Sequence, residues 1–207
     1  HPINNNLPPL ISKKKAREML LWDNETKYVL FFGVIRKYKG LELLIKAFSN
    51  ETIKVKNIKL YVAGECYENP KKYIKLIDYY SLKNKVILDF KFKRRDDIQK
   101  LFSATDMIAQ TYHNASQSGV TPMAYHYQKP ILVSNIEGLK EPIERDGSGI
   151  VVNKNPLEIS RGIIKLLEKK IYNQYLDNIK LKTSGYDWDN FVKEWHHFIS
   201  KNHLKSQ

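Results

Sequence analysis

Cysteine is almost missing from this sequence, and its scarcity limits the kinds of site that the chain can build. Cys66 is the single cysteine among 207 residues. One cysteine forms no disulfide framework within the chain and no thiolate metal cluster. A chain without structural disulfides suits a reducing compartment, so we expect a cytoplasmic location.

Long apolar runs and two familiar site patterns are also missing. No apolar run approaches the ~20 residues that a membrane-spanning helix needs. The segment after the second predicted strand reads GECYEN, which has no further glycine and argues against the GxGxxG pattern of an NAD-dependent dehydrogenase. His196, His197 and His203 lack the i, i+4 spacing of a zinc-binding helix.

Arginine is scarce although the chain is strongly basic. Six of the 35 basic residues are arginines, and the net charge is +13. Because proteins that read nucleic acids use arginine for bidentate base contacts, this lysine-rich composition does not indicate a specific nucleic-acid partner. A positive field of this size does attract phosphorylated ligands and anionic membrane surfaces, so the expected location includes peripheral contact with the inner membrane face.

Apolar residues are plentiful and fall into two alternating patterns. They make up 42% of the chain, which is enough for a sizeable core. Short strand-like runs alternate with stretches of helical spacing, as in βαβ units with a parallel sheet. We therefore predict an α/β fold, with a Rossmann-like parallel sheet of about six strands flanked by helices. The predicted strands are residues 28–32, 58–63, 86–92, 106–111, 130–134 and 149–152, and the sixth follows a loop rich in glycine and charge.

The first predicted strand and helix enclose a short basic loop. The strand ends at Gly33, and Arg36 and Lys39 follow before a helix whose apolar residues recur at i, i+3, i+4 and i+7. In open α/β sheets, ligands bind beyond the carboxyl ends of the strands, where this loop lies. Two interpretations stand at this point. The cations bind a phosphate, or the loop is a solvated one in a lysine-rich chain.

The two ends of the chain differ from its middle. Residues 1–17 hold three prolines, three asparagines and a lysine run, which predicts an interdomain linker. Residues 18–185 are the predicted domain, and the chain is expected to be helical from Asn155, a typical helix cap, to a break near Gly185. Residues 186–207 are predicted as a C-terminal helix with an apolar face. That face packs on this domain's own sheet or on a partner domain.

The order of short motifs resembles that of one enzyme family. In chain order the motifs are FFG followed by Arg36 and Lys39, VAGE, LFSATDM, QSGV, AYHYQKPILVSNIEGLKEPI and DGSGIVV. Together they resemble the C-terminal, donor-binding half of a retaining family 4 glycosyltransferase with the GT-B fold, over about residues 29–188. The resemblance, and a chain that begins at His1 without a methionine, imply that the N-terminal, acceptor-binding domain is not included.

The resemblance implies a nucleotide-sugar donor, such as a UDP- or GDP-hexose, and a transfer that needs neither metal nor cofactor. It assigns catalytic roles to Arg36 and Lys39, which would neutralise the diphosphate most strongly as the leaving group gains charge. Gly33 would let the backbone approach the donor, and Phe92 lies in the segment that contacts the base. The remaining implied donor-binding residues are Ser116, Gln117, Ser118, Gly119 and Val120, whose backbone N–H groups would hold the diphosphate at a helix N-terminus.

The chain departs from the family pattern at one place. Members commonly carry two glutamates eight positions apart, one contacting the sugar and one a ribose hydroxyl. The corresponding window holds Ala115 at one end and Pro122 and Met123 at the other, and neither glutamate is present. Gln117 is positioned to replace the sugar contact, and Glu137 is the nearest carboxylate on a neighbouring predicted loop.

Other ionisable residues favour structural or solvated roles. His113 and His126 flank the QSGV loop, but retaining transfer demands no general acid or base from this domain, so packing roles are preferred. Glu141, Glu144 and Asp146 form an acidic cluster before the sixth strand, and acids in such a loop are usually solvated.

Two functions remain open from the sequence. The first is a glycosyltransferase domain that binds the donor for retaining hexosyl transfer to a saccharide or lipid-linked acceptor and is inactive as an isolated domain. The second is a degenerate GT-B half that serves as a non-catalytic interaction module. The retained Gly33, Arg36 and Lys39 favour the first, and the missing glutamates favour the second.

Overall fold

One parallel β-sheet organises the chain. The structure is a computed structural model, and it describes residues 7–183 and residue 192. The strands are β1 (Lys27–Phe32), β2 (Ile58–Ala63), β3 (Val86–Asp89), β4 (Met107–Gln110), β5 (Ile131–Ser134) and β6 (Gly149–Val152). They lie in the order β3-β2-β1-β4-β5-β6, and every neighbouring pair is parallel. The predicted six-stranded Rossmann-like sheet is therefore confirmed.

Helices cover both faces of this sheet. They are α1 (Lys13–Leu20), α2 (Leu41–Phe48), α3 (Glu51–Lys54), α4 (Lys71–Tyr79), α5 (Arg95–Ala104), α6 (Val120–His126), α7 (Glu137–Asp146), α8 (Pro156–Leu166) and α9 (Lys169–Thr183), with a 3-10 helix at Lys37–Lys39. Helices α2, α4 and α8 bury their apolar residues in one core, and α5, α6 and α7 bury theirs in a second core. Each face of the sheet thus has its own hydrophobic core.

β1 is buried over residues 28–31, because it pairs on both edges and is covered on both faces. Val29 and Phe31 enter the core with α2, whereas Leu30 enters the core with α5. All three side chains are fully buried. A continuous apolar run is typical of a strand in a doubly covered parallel sheet, and it places the end of β1 firmly beneath the loop that begins at Gly33.

Helix α1 is held against the amino-terminal ends of the strands by a buried ion pair. The Arg17 guanidinium donates to the Asp106 carboxylate over 2.8 Å and to the Ala104 carbonyl over 3.0 Å. Asp106 also accepts a hydrogen bond from the Tyr28 backbone N–H over 2.7 Å. The carboxylate therefore connects α1 to the start of β1 and to the loop before β4.

The linker predicted for residues 1–17 is too long, because α1 begins at Lys13. The Ser12 side chain caps this helix by accepting from the Lys15 backbone N–H. Arg17, the last residue assigned to the linker, is 1% exposed. The lysine run hid this helix, since a pattern of charged residues gives little sign of one buried guanidinium.

The loop predicted before the sixth strand is also wrong, because α7 occupies it. Leu139 and Ile143 are buried four residues apart on one side of the helix. The expected solvated acidic cluster is divided: Glu141 and Glu144 are exposed, whereas Asp146 is buried and accepts from the Tyr125 hydroxyl over 3.0 Å. Pro142 within the helix and the flanking glycines conceal its apolar spacing in the sequence.

The helical region from Asn155 is confirmed as far as Thr183. The Asn155 side chain accepts from the backbone N–H groups of Leu157 and Glu158, as a cap residue does. The predicted break near Gly185 and the predicted helix at 186–207 lie outside the residues described, apart from residue 192. Within the described chain, every helix is too short or too polar to cross a membrane.

Candidate functional site

The order of the strands creates a crevice between the ends of β1 and β4. The chain moves outward from β1 through β2 to β3, and then returns to the other side of β1 with β4. Loops that follow adjacent strands therefore leave in opposite directions at this point. Open α/β sheets bind ligands at such a reversal, beyond the carboxyl ends of the strands. The loop after β1 carries Gly33 and Lys39, and the loop after β4 carries residues 113–119.

Two glycines bring the backbones after β1 and β2 unusually close together. Gly33 has φ +102° and Gly64 has φ +131°. A Cβ atom on Gly64 would lie 2.4 Å from the Gly33 carbonyl oxygen, which no side chain tolerates. The Gly33 N–H donates to the Ala63 carbonyl over 2.9 Å. The resulting turn leaves the surface above β1 without side chains.

Lys39 places its ammonium group next to this bare backbone. Its Nζ lies 2.9 Å from the position that a Cβ on Gly33 would take and 5.4 Å from the centroid of the Tyr112 ring. Burial, together with the nearby Arg36 charge, lowers the pKa of Lys39 to about 8. Among residues 7–183, no carboxylate lies within ion-pair distance of Lys39.

Arg36 points to a different part of the crevice. Its guanidinium lies 5.3 Å from the centroid of the Tyr67 ring, and the residue is exposed. It lines a cavity of about 910 Å³, here called the tyrosine cavity, together with Lys37, Tyr38, Glu42, Tyr67, Glu68 and His113. Arg36 also lacks a carboxylate partner within ion-pair distance in the described chain. The two predicted catalytic cations thus stay close enough to repel each other, and the described acids neutralise neither.

The loops after β1 and β4 are locked together. The Thr111 hydroxyl donates to the Gly40 carbonyl over 3.0 Å, and the His113 N–H donates to the Tyr38 carbonyl over 2.6 Å. A Cβ on Gly40 would lie 2.1 Å from the Thr111 carbonyl oxygen. The 3-10 helix that carries Lys39 is therefore held against the loop that precedes α6.

The QSGV loop leaves several backbone donors without partners. The N–H groups of Val120 and Thr121 already donate to Ser118, the first to its side chain over 3.2 Å and the second to its carbonyl over 3.3 Å. In the described chain, the N–H groups of residues 117–119 donate to no other atom. Ser116, Gln117 and Gly119 are exposed, whereas Ser118 is half-buried and Val120 is buried. The Ser116 carbonyl packs so closely on Gly138 that a Cβ there would lie 2.0 Å away, which fixes the loop on α7.

Phe92 lines a second large cavity, of about 600 Å³, here called the basic cavity. Phe92 is 68% exposed, and Gly33 and Met123 line the same space. The cations that line the basic cavity are Lys93, Arg94 and Arg95. Lys93 pairs with Asp89 over 2.5 Å and Arg94 with Asp97 over 3.9 Å, so Arg95 is the lining cation without an ion pair in the described chain.

The structure also shows which carboxylates lie near the missing glutamates. Glu137 precedes Gly138, which packs on Ala115 and Ser116, but its side chain is 84% exposed and pairs with Lys140 over 2.9 Å. Glu65 lines the basic cavity together with Met123, and Glu141 lines a cavity of about 250 Å³ with Gln117. Sequence analysis missed Glu65, although its position directly after Gly64 at the end of β2 was a usable signal.

The two histidines beside the QSGV loop make structural contacts. His113 Nε2 lies 3.1 Å from Glu42 Oε1, and His126 Nε2 lies 2.9 Å from the Pro8 carbonyl oxygen. Across the described residues, no three His, Cys, Asp or Glu side chains converge as metal ligands.

Comparison with known proteins agrees with this geometry. Residues 12–183 match the family described as Glycosyl transferases group 1. The uncharacterized glycosyltransferase MJ1069 of Methanocaldococcus jannaschii is 32% identical over 194 residues, covering 88% of this chain and 46% of the relative. The uncharacterized glycosyltransferase MJ1607 of the same organism is 29% identical over 177 residues, covering 83% and 44%. The chain thus spans less than half the length of these curated relatives.

Solved structures show the same fold at low sequence identity. The C-terminal domain of the group 1 family protein LpcC from Francisella tularensis has a TM-score of 0.75 at 19% identity, covering 88% of this chain and 96% of that one. Anabaena HepE in complex with UDP-glucose has a TM-score of 0.75 at 21% identity, covering 91% and 52%. The sheet is that of a Rossmann-like GT-B domain. With its family match over most of its length, the chain belongs to the glycosyl transferases group 1.

Proposed function

We propose that this domain binds a nucleotide-sugar donor and stabilises the departing diphosphate during retaining hexosyl transfer to a saccharide or lipid-linked acceptor. The fold and the family support glycosyl transfer in general. The binding of UDP-glucose by HepE, a protein of the same fold, makes a UDP-hexose the first donor to test. The resemblance implies that the acceptor binds mainly to another half of the enzyme, so we expect this isolated domain to bind the donor without transferring its sugar.

The lone ammonium of Lys39 is the observation that carries this proposal. A buried charge normally has a partner, since removing it from water is costly. Lys39 has none among the described residues, and it lies beside the bare backbone at Gly33, where the strand order reverses. A diphosphate in the crevice would supply the missing negative charge.

The same arrangement favours the transition state over the bound donor. In the proposed reaction the acceptor hydroxyl oxygen bonds to the anomeric carbon, the bond from that carbon to the diphosphate oxygen breaks, and the hydroxyl proton passes to the departing diphosphate. The electron pair stays on the diphosphate, which becomes more negative as the bond lengthens. In this proposal Lys39 and the N–H groups of residues 117–119 hold the diphosphate before the bond breaks, with the Arg36 charge nearby, so little reorganisation would oppose their stabilising effect.

We assign the remaining groups of the donor to the basic cavity and to the cavity of about 250 Å³ beside the QSGV loop. The base would stack on the exposed Phe92 ring in the basic cavity, and Glu65 would accept a ribose hydroxyl there in place of the missing glutamate. Gln117 would hydrogen-bond the sugar beside the QSGV loop.

Calorimetric titration with UDP, GDP and ADP tests the proposal. Lys39→Met should weaken binding of the preferred nucleotide roughly 10- to 100-fold, because it removes a charge-assisted hydrogen bond worth about 1.5–3 kcal/mol. Lys46→Met is the matched control, since Lys46 is exposed on α2. The proposal fails if no nucleotide binds at millimolar concentration, or if both variants bind as the wild type does.

A second candidate function is supported by the missing glutamates. With Ala115 and Met123 at their places, the domain would be a GT-B half retained as an interaction module. This candidate predicts no nucleotide binding by the wild type. It also predicts that Lys39→Met raises the melting temperature, since the buried charge would then have no ligand to balance it. The same set of proteins thus decides between the two functions.

A further inference from the structure

The tyrosine cavity differs from the basic cavity in its chemistry. It adjoins the basic loop at residues 36–38, whereas the basic cavity adjoins this loop at residues 33–34. Its lining contains two cations, Arg36 and Lys37, and two carboxylates, Glu42 and Glu68, so its formal positive and negative charges are equal in number. A balanced lining suits a polar ligand without net charge, whereas the basic cavity suits an anion.

Two exposed rings give the tyrosine cavity flat apolar surfaces. Tyr38 is 43% exposed and Tyr67 is 63% exposed, and both line the cavity. The Tyr38 ring is steadied by an edge contact with Tyr112, with centroids 5.9 Å apart, and the Tyr67 ring by the Arg36 guanidinium. Fixed tyrosines combine an apolar face with a hydroxyl group. Sugar rings match them, because they have C–H faces and hydroxyl edges.

Glu42 provides a buried acceptor that lacks a donor. Its Oε1 lies 3.1 Å from His113 Nε2, whereas its Oε2 is inaccessible to solvent and has no hydrogen-bond partner in the described chain. Glu68 is held by the Tyr73 hydroxyl over 3.2 Å and by Lys72. An unsatisfied buried oxygen requires an explanation. The Glu42 side chain is 29% exposed and lines the cavity, so a rotation that turns Oε2 toward the cavity would let it accept from a ligand hydroxyl.

We infer that the tyrosine cavity binds an uncharged saccharide, namely the part of the acceptor that lies against this domain. The inference rests on the proposed function, because a transferase must hold its acceptor close to the departing diphosphate. Arg36 connects the two sites, since its guanidinium lines the tyrosine cavity and its charge reaches Lys39. The acceptor would be held by Glu42 and by stacking on Tyr67.

A glycan array of neutral mono- to tetrasaccharides, probed with the fluorescently labelled chain, tests this inference. We expect a subset of glycans to be retained by the wild type and by Tyr79→Ala, a control that removes an 80% exposed tyrosine on α4. Glu42→Gln and Tyr67→Ala should each reduce the signal at least tenfold. Glu42→Gln keeps the size of the side chain, so a folding defect does not account for its loss, and a thermal melt of each variant verifies this.

Repeating the array with saturating UDP identifies the role of the bound saccharide. An acceptor should stay bound with UDP present, whereas displacement by UDP would overturn the inference by showing that the cavity belongs to the donor. Retained binding in Glu42→Gln, or no glycan binding by a chain that binds UDP, would overturn it as well. Failure to bind UDP at all instead counts against the proposed function, so the two failures are distinguishable.

Discussion

Lys39 and Lys129 are two buried lysines at opposite ends of the strands of the sheet. Lys39 lies beyond the carboxyl end of β1, and Lys129 precedes β5 at the amino-terminal edge, where its ammonium donates to the Ser103 carbonyl over 3.1 Å. Burial lowers the pKa of both, to about 8 for Lys39 and to about 7 for Lys129. The same physical effect thus acts on both lysines, although Lys39 lies at the proposed diphosphate site and Lys129 makes a packing contact.

Donor binding should depend on pH through Lys39. Its ammonium is fully charged below about pH 8 and loses its proton above, whereas a bound diphosphate favours the charged form and raises this pKa. Affinity for UDP-glucose should therefore be constant below pH 8 and fall by at most about tenfold per pH unit above it, since one proton is involved. Calorimetric titrations from pH 7 to pH 9 measure this slope. A slope that persists in Lys39→Met would assign it to another group.

Lys129 should make stability depend on pH. Its folded pKa of about 7 is below the ordinary value of 10.5, so between these limits the unfolded chain binds more protons than the folded one. The destabilising effect is full below pH 7 and is relieved as the pH rises, by at most about 1.4 kcal/mol per unit. Urea unfolding at pH 7 and pH 9 should show this gain in the wild type, with a smaller gain in Lys129→Met. Equal gains in the two proteins would contradict the assignment, because Lys39 contributes equally to both.

Sequence reasoning reached Lys39 but not Lys129, and the difference is physical. Lys39 follows a strand end and a glycine, a position where backbone geometry and sheet topology predict a ligand. Lys129 lies in the segment YQKP, and nothing there separates it from the many exposed lysines. Its burial accompanies a long-range contact, the hydrogen bond from its ammonium to the Ser103 carbonyl of α5, which no local pattern reports.

At the scale of elements, the strands were predictable and some helices were not. All six strands were expected from short apolar or alternating runs, although the third was expected to reach residue 92 and ends at Asp89. Helix α7 was missed because Gly138 and Pro142 interrupt its spacing, and α1 because its buried residues, Ala16 and Arg17, are a small residue and a charged one. Helices whose buried face is small or charged depend on tertiary contacts that a sequence pattern does not display.

The turn after β2 should be sensitive to a single methyl group. Gly64→Ala would place Cβ 2.4 Å from the Gly33 carbonyl oxygen at a φ of +131°, so the two turns must separate. We expect a loss of about 1–3 kcal/mol in the free energy of unfolding, together with weaker UDP binding, because Gly33 moves. Gly119→Ala is the stability control, since nothing lies within 4 Å of its Cβ position, and it should change stability by less than about 0.5 kcal/mol. Equal stability of the two variants would disprove the close approach.

At the scale of the whole molecule, ion pairs are unevenly distributed between the amino and carboxyl ends of the strands. The net charge is +13, yet a carboxylate buried at the amino-terminal edge, Asp106, holds Arg17 and also contacts Lys13. The carboxyl-terminal edge instead leaves Lys39 without an acid among the described residues. The fold thus neutralises Arg17, which anchors helix α1, and leaves the buried Lys39 and the exposed Arg36 at the crevice without acid partners in the described chain.

The anchor at the amino-terminal edge should matter far more than a surface ion pair. Asp106→Ala leaves the Arg17 charge buried without its carboxylate, which should cost about 3–5 kcal/mol. Asp78→Ala removes the exposed partner of Lys83, a pair 3.1 Å apart that should contribute about 0–1 kcal/mol. Urea unfolding of both variants measures the difference. Similar losses would mean that α1 is held by apolar contacts alone.

The uncompensated ammonium beside Gly33 has a consequence for handling the protein. If the proposed diphosphate site is correct, small polyanions should compete for it, and inorganic phosphate is the commonest one in laboratory buffers. A preparation in phosphate would enter an assay already partly occupied, with an artificially high melting point and a deceptively poor nucleotide affinity. Preparations exchanged into a buffer without phosphate or another polyanion would report the properties of the empty crevice.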